Sequence, residues 1–308
     1  MGSFMKTHII DNTISPVMDI SNLSVDPIEK KPFYHFRPNS SVLSVGGYGC
    51  SLKCNYCQNW KISQHGGDNK NLKSCKEIVD IAIENKVDGV GMTYNEPTVY
   101  YEYLLNLFDM SKKAGMFTFL KTNAFIEREF WNHVCEYSDA INIDLKGGKK
   151  SYHDVAGIED DDLCYSYILI LENIIHALNS NAHVEISIPI YPNSNGITTT
   201  SIDDEHIEDI TKIICDHDKN TPVHLLKIFP AYKNNHWKST DDDLIFYIRD
   251  TMMKKIPHVY VQNIFSPLGK SCRKTYDVDG NILAIRENYK TQVLCDSFFI
   301  LKIPISYI

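Results

Sequence analysis

The chain has 308 residues, 43% hydrophobic and 23% charged. That is the composition of a globular protein whose core is large enough to need no disulfide staples. Asp and Glu outnumber Lys and Arg by 39 to 31, a net charge of −8, which argues against a nucleic-acid partner, because phosphate backbones need a basic surface. No apolar run reaches the ~18 residues of a membrane span, and the first residues lack an apolar signal core. The expectation is a cytoplasmic protein with no membrane partner and with its nine cysteines held mostly as thiols.

Residues 1–40 are broken by Pro16, Pro27, Pro32 and Pro38 and read as an irregular extension wrapped on the core. From Ser41 strands and helices alternate. Residues 41–45 form a β-type run that ends at Gly46 and Gly47. A cysteine-rich loop follows, then an amphipathic helix over 72–85 with Ile78, Val79, Ala82 and Ile83 at helical spacing. Strands are expected at 89–93, 116–120, 140–143, 184–190 and 223–229. Helices are expected at 98–114, 126–137, 165–179, 202–215 and 243–254, with one more short strand at 258–262. Such alternation implies βαβ units on a parallel sheet. About six units lie between 41 and 255, too few to close a TIM barrel. The expected fold is α/β: a partial (β/α)6 TIM-like barrel over 41–262, an N-terminal extension over 1–40 and a C-terminal tail over 263–308.

The chemistry concentrates in Gly49-Cys50-Ser51-Leu52-Lys53-Cys54-Asn55-Tyr56-Cys57, a C-x3-C-x2-C pattern directly after the first barrel strand. Three thiolates on one short loop can converge on one metal centre, and soft sulfur sets select zinc, copper(I) or iron–sulfur clusters. A structural zinc site wants a fourth ligand, for which His65 in the following Gly-rich turn is the nearest candidate. A [4Fe–4S] cluster held by three cysteines keeps one iron open to a substrate or cofactor. The alternatives are three unrelated buried thiols, or a zinc knuckle completed by a distant residue.

The loop resembles the signature of the radical S-adenosylmethionine (radical SAM) superfamily. The similarity extends to Phe33-Tyr34-His35-Phe36, to Gln58-Asn59-Trp60 with Ile62-Ser63-Gln64, to Thr93-Tyr94-Asn95-Glu96-Pro97-Thr98, to Asp144-Leu145-Lys146-Gly147 and to Phe229-Pro230-Ala231-Tyr232-Lys233. This ordered set is similar to the radical SAM proteins of the AmmeMemoRadiSam system, relatives of pyruvate formate-lyase activating enzymes. It covers residues 33–262.

The resemblance implies two cofactors, a [4Fe–4S] cluster on Cys50, Cys54 and Cys57, and S-adenosylmethionine (SAM) on the open iron. It implies reductive cleavage of SAM to a 5′-deoxyadenosyl radical that takes a hydrogen atom from a substrate, with an electron donor such as flavodoxin or ferredoxin. Tyr56 would lie against the adenine. Glu96 and backbone carbonyls would hold the SAM amino group, with Asn95 adding a side-chain bond; Tyr94-Asn95 stands where activating enzymes usually carry two glycines. From the fourth strand Lys146 would pair with the SAM carboxylate, and Asp144 would orient Lys146 or a ribose hydroxyl. Thr122 and Asn123 resemble the family's pair after the third strand, but Lys121 precedes them where an acid, and with it a cation site, is usual. Glu185 and Ser187 on the fifth strand, and His224 on the sixth, are expected at the ribose or adenine.

The remaining cysteines are less informative. Cys75, Cys135, Cys164 and Cys215 lie in helical stretches and read as small buried hydrophobes. Cys272 and Cys295 keep only the first member of each paired knuckle that resembled tails carry, so a four-cysteine zinc site is lost. Cys272 is the candidate hydrogen-atom donor in catalysis; a plain thiol is the alternative. The tail is expected to cover the barrel mouth, with Phe298-Phe299-Ile300-Leu301 apolar enough to be a core element instead. Three functions stay open: radical chemistry on a polypeptide, radical chemistry on a small metabolite, and a non-catalytic metal-binding module.

Overall fold

The computed structural model describes residues 6–10, 13–192, 204–276 and 281–294. Cys295 and residues 298–301 lie outside this set. The backbone of the molecule is one eight-stranded sheet in the order β11-β10-β9-β8-β7-β6-β4-β3. Its parallel run is β4 (Ser41–Gly46), β6 (Gly89–Met92), β7 (Phe117–Thr122), β8 (Ala140–Asp144), β9 (His183–Ile190), β10 (Val223–Lys227) and β11 (Val259–Gln262). Almost every residue of these strands is buried, as expected where helices cover one face and the barrel interior the other.

The helices that cross between them are α2 (Cys75–Glu84), α3 (Tyr101–Lys113), α4 (Arg128–Tyr137), α6 (Asp160–Leu178), α7 (Asp204–Asp218) and α8 (Asp242–Met252). Short helical turns α1 (Trp60–Ser63), α5 (Lys149–Asp154) and α9 (Pro267–Ser271) fill loops. Six βα units therefore precede the last strand, and the barrel is incomplete. The expected helix at 72–85 begins later than its apolar spacing suggested. Residues 72–74 are a strand, β5 (Leu72–Ser74). Ser74 then caps α2 with a reciprocal Ser74–Glu77 capping box, worth about 1 kcal/mol.

Two glycines in β6 look out of place for a strand. They are there for room: a Cβ on Gly91 would lie 2.3 Å from the Phe119 ring of the next strand.

The N-terminal extension is more regular than expected. It forms β1 (Lys6–Ile10), β2 (Thr13–Asp19) and β3 (Asn22–Pro27). β2 pairs with β1 and with β5, and β3 runs antiparallel along β4. Pro27 ends β3 at the sheet edge, where a missing donor costs least. The pairing partners lie far along the chain, so local composition did not reveal them.

Residues 28–39 then turn into the barrel. Phe33 and Phe36 pack with Ile28, Val42, Phe117, Phe119 and Ala140, and Asn142 donates to the Pro32 carbonyl at 2.7 Å. This plug fills the half of the barrel nearest the N-terminal strand ends. The opposite half stays open.

The tail builds a small sheet of β12 (Lys274–Tyr276), β13 (Ile282–Glu287) and β14 (Lys290–Val293). Its bonds run to both edges of the incomplete barrel. Tyr260 of β11 meets the Thr275 hydroxyl at 2.7 Å, and Arg286 donates to the Tyr34 carbonyl at 2.7 Å. Beyond β3, Asn39 donates to the Thr291 carbonyl at 2.7 Å. The described tail thus spans the lateral seam between β11 and the segment after β3.

Candidate active site

One cavity of about 440 Å³ opens at the C-terminal strand ends. Cys50, Cys54, Tyr56, Cys57, Asn95, Glu96, Thr122, Asn123, Asp144 and Lys146 all line it. Residues from four different β–α loops meet there because every parallel strand delivers its C-terminal loop to the same end.

The cysteine loop is held from several sides. Lys53 and Asn55 donate their backbone N–H groups to Ala156 and Val155 at 2.8 and 2.9 Å. Gly49 takes φ 88°, and its carbonyl accepts the Asn95 amide at 3.0 Å. The same Asn95 side chain accepts from the Gly47 N–H at 3.0 Å. Asn95 therefore braces the loop at both ends of its side chain.

Tyr94 is the other departure from a glycine pair. Its φ is 76°, a left-handed conformation that costs a bulky residue about 1 kcal/mol or more. The backbone geometry of a glycine is kept, and the ring is accommodated elsewhere. A Cβ on Gly46 would lie 2.9 Å from the Tyr94 ring. The Tyr94 hydroxyl joins Asp26 and Lys31, each at 3.2 Å. The Lys31 ammonium sits 4.7 Å over the ring and 2.7 Å from Asp26.

Glu96 is a hub. It is 2% exposed. Its Oε1 accepts from the Thr122 hydroxyl at 2.7 Å, the Thr98 hydroxyl at 2.8 Å and the Thr98 N–H at 3.1 Å; its Oε2 accepts from the Asn123 N–H at 2.8 Å. Burial pushes its pKa up, and these four donors oppose the shift. One acceptor position on Oε2 is left for an ammonium.

Asp144 sits between two lysines, 2.6 Å from Lys121 and 3.1 Å from Lys146. Burial would raise the Asp144 pKa, but the two ammonium groups more than offset it and hold it low. Burial opposes charge on Lys146 too, yet Asp144 and the facing Cys54 keep it charged, with its pKa raised. The Tyr152 hydroxyl oxygen accepts the Lys146 N–H at 3.1 Å, and Tyr191 donates to the Lys146 carbonyl at 3.1 Å. Lys121 also reaches Asn142 at 2.9 Å. The site residue that sequence reasoning undervalued is thus Lys121. Only the register Lys121↔Asn142 across β7 and β8 brings it to Asp144.

Four expected residues do not line the cavity. Glu185 is fully buried one layer deeper, against the plug. It accepts the Tyr34 and His35 N–H groups at 2.9 and 2.8 Å, and pairs with His183 at 3.0 Å and with His224. His224 also meets the Gln262 amide at 3.0 Å. Ser187 donates to Asn142 at 2.7 Å. Strand alternation put these side chains on the interior face, but depth along the strand decides whether they meet the plug or the cavity. Cys272 is 3% exposed, packs in the core and does not line the cavity.

The donor set fits an iron–sulfur cluster. Cys50, Cys54 and Cys57 share the cavity wall. Burial pushes the Cys50 thiol up, and the Cys54 thiol up to about 11. Such thiols ionise only with a cation to ligate. The Leu52 N–H donates to Cys50 Sγ at 3.4 Å, the kind of contact that tunes cluster sulfur. Among the described residues no three His, Cys, Asp or Glu side chains converge on a single ion, and His65 is exposed. A four-iron cluster offers each thiolate its own iron, so its ligands need not meet at one point.

The model of the radical SAM superfamily matches residues 44–162. An uncharacterized protein of Methanocaldococcus jannaschii is 32% identical over 252 residues, 80% of this chain and 70% of that protein. The chain belongs to the radical SAM superfamily. Pyruvate formate-lyase 1-activating enzyme of Escherichia coli is 30% identical over 113 residues, 34% of this chain and 45% of that enzyme. The fold is that of Streptococcus suis SuiB bound to S-adenosylmethionine, with a TM-score of 0.52 and 16% identity over 72% of this chain and 50% of that one. Radical SAM proteins use a [4Fe–4S] cluster and SAM, and these are the cofactors of this family member. Among the described residues no helix is long and apolar enough to cross a membrane.

Proposed function

We propose that this radical SAM protein is an enzyme that cleaves SAM reductively and removes a hydrogen atom from a polypeptide substrate. The observation that carries the reading is the shared cavity, with three thiols on one wall and Glu96, Asp144 and Lys146 facing the same space. When bound, the cluster and SAM supply one electron and a 5′-deoxyadenosyl radical. The chain's own residues do the rest. Cys50, Cys54 and Cys57 hold the cluster, Glu96 offers its remaining lone pair to the SAM ammonium, and Lys146 meets the carboxylate. Asp144 keeps Lys146 charged and fixed, and Lys121 holds the other oxygen of Asp144. Tyr56, its ring centre 4.7 Å from that of Tyr191, gives an apolar face for the adenine and helps exclude water.

A polypeptide substrate is supported by the likeness to an enzyme that activates pyruvate formate-lyase. A small metabolite is the second reading. It is favoured by Tyr289, which the tail hairpin places on the seam side of the cavity, where it narrows the space left for a substrate. In either case the tail works as the substrate-side cover. The test is anaerobic reconstitution with iron and sulfide, then SAM and dithionite, with 5′-deoxyadenosine measured. Its formation is expected. A cluster-loaded protein that forms none defeats the proposal. Turnover that needs an added polypeptide separates the two substrate readings.

A further inference from the structure

Lys121 stands on the cavity wall with its ammonium already saturated. Its Nζ meets Asp144 Oδ1 at 2.6 Å, Asn142 Oδ1 at 2.9 Å and Ser187 Oγ at 3.3 Å. Each of these oxygens is turned toward it as an acceptor. The Asn142 amide nitrogen donates to the Pro32 carbonyl at 2.7 Å, which leaves the amide oxygen on the Lys121 side. The Ser187 hydroxyl gives its proton to Asn142 Oδ1 at 2.7 Å, so toward Lys121 its oxygen can only accept. A neutral amine has two hydrogens and would set its lone pair against one of the three oxygens. An ammonium has three donors and satisfies them all. Burial pushes the Lys121 pKa down and Asp144 opposes the shift; the three acceptors hold the group as an ammonium.

A carboxylate, an amide oxygen and a hydroxyl around one point are the hard oxygen set that binds a small inorganic cation. Here the chain supplies that charge itself. We propose that Lys121 is a tethered monovalent cation, which cancels the Asp144 charge, leaves the Lys146 charge over for an anionic group of the bound ligand, and makes the site independent of sodium and potassium. The inference rests on the reading of Lys146 as the partner of the SAM carboxylate. Asp144 with Lys146 alone would be a neutral pair. With Lys121 on its other oxygen, two ammonium groups face one carboxylate, and one positive charge remains. A free ion would have to be captured from solution and dehydrated, whereas a tethered one is present at a high effective concentration. Lys121 is thus a positioning residue that acts on the ligand through Asp144 and Lys146.

The test uses Lys121→Ala, which opens the space of a propylammonium ion beside the three oxygens, and Lys121→Met, which fills that space without charge. The first arm is thermal unfolding of the cluster-free full chain in choline, sodium, potassium or propylammonium chloride at one ionic strength. Relative to the wild type in the same salt, Lys121→Ala is expected to melt higher in propylammonium than in choline, and Lys121→Met to show no such gain. The second arm is equilibrium binding of SAM to the reconstituted, unreduced protein in the same salts. The wild type is expected to bind equally in choline, sodium and potassium. Both variants should bind roughly tenfold more weakly in choline. Propylammonium should restore Lys121→Ala and leave Lys121→Met weak. Wild-type binding that tightens with sodium or potassium overturns the proposal, and that measurement needs no variant to fold. So does wild-type affinity in either variant in choline, a Lys121→Ala melt indifferent to propylammonium, or equal rescue of Lys121→Met. A cluster-loaded wild type that binds no SAM refutes the reading of Lys146 instead, and the melting arm still decides the cage.

Discussion

Single side chains in this site do more bracing than touching. Asn95 ties the cysteine loop to the end of β6, and Glu96 ties β6 to β7 through Thr122 and Asn123. Glu96→Ala should therefore have two effects. Stability should fall by about 3 kcal/mol, because buried donors lose a charged acceptor, and SAM binding to the reconstituted protein should weaken. Lys146→Ala, in contrast, should weaken SAM binding by about one to two orders of magnitude, the worth of one charge-assisted contact, while the cluster survives. Urea denaturation and equilibrium SAM binding separate the two cases; wild-type SAM affinity in both variants would count against their roles. At the thiols, Cys54→Ala should abolish the visible absorption of the reconstituted protein. Cys75→Ala should leave it intact, since Cys75 is a buried core residue beside Tyr103. Full iron and sulfide in Cys54→Ala would refute the ligand set.

At the scale of elements, the strands divide by depth. The upper residues of β7 and β8 face the cavity, and the lower residues of β9, β10 and β11 face the plug. The lower layer is a buried polar network, with Glu185 at its centre and His35 against Tyr260 at 2.6 Å. Burial pushes the pKa of His35 well down and that of His258 down to about 4. The sign of the pH dependence follows. Below the ordinary histidine pKa of about 6.5 the unfolded chain binds protons that the folded core excludes, so stability rises with pH through this range. Two such histidines should cost about 2–3 kcal/mol between pH 7.5 and 5.5. The Glu185 carboxylate, held well below its usual range despite burial by His183 and His224, adds a loss in the same direction below about pH 4.5. Denaturation midpoints at the two pH values check this, and a flat profile would mean that the histidines are not held neutral.

The whole molecule is an open barrel closed by segments from both ends of the chain. The 33–36 plug seals one end, and the tail sheet spans the seam. Arg286 joins them: it is 2% exposed, donates to the Tyr34 carbonyl and to Thr275, and lies 4.5 Å over the Tyr34 ring. Arg286→Met should cost about 2–4 kcal/mol by leaving buried acceptors without a donor. Calorimetric unfolding of the intact chain measures it. A loss below about 0.5 kcal/mol, the range of ordinary surface substitutions, would show that the tail only rests on the barrel. The turn that carries Tyr289 into the cavity wall has Asn288 at φ 49° and Tyr289 at φ 60°. A two-residue hairpin of this kind favours glycine at the second position, so the ring is kept there at a cost in turn strain.

The βα alternation and the three-cysteine loop were legible in the sequence by itself. Both are local: apolar period and residue spacing survive without knowledge of any partner. The places of Glu96 and Lys146 at the cavity were legible through their motifs. What the sequence could not show depends on distance along a strand or on contacts between remote segments. Glu185 and Ser187 alternate as Asp144 does, yet the plug claims their layer, and no local pattern reports how deep the plug reaches. Lys121 became part of the site only when register set it beside Asn142 and Asp144. The strands of the first 40 residues needed β4 and β5 as partners. The stack of Trp60 on Tyr232 needed two separate stretches to meet. Tertiary structure decided these because burial and charge pairing are properties of neighbours in space, and the chain's order leaves those neighbours unspecified.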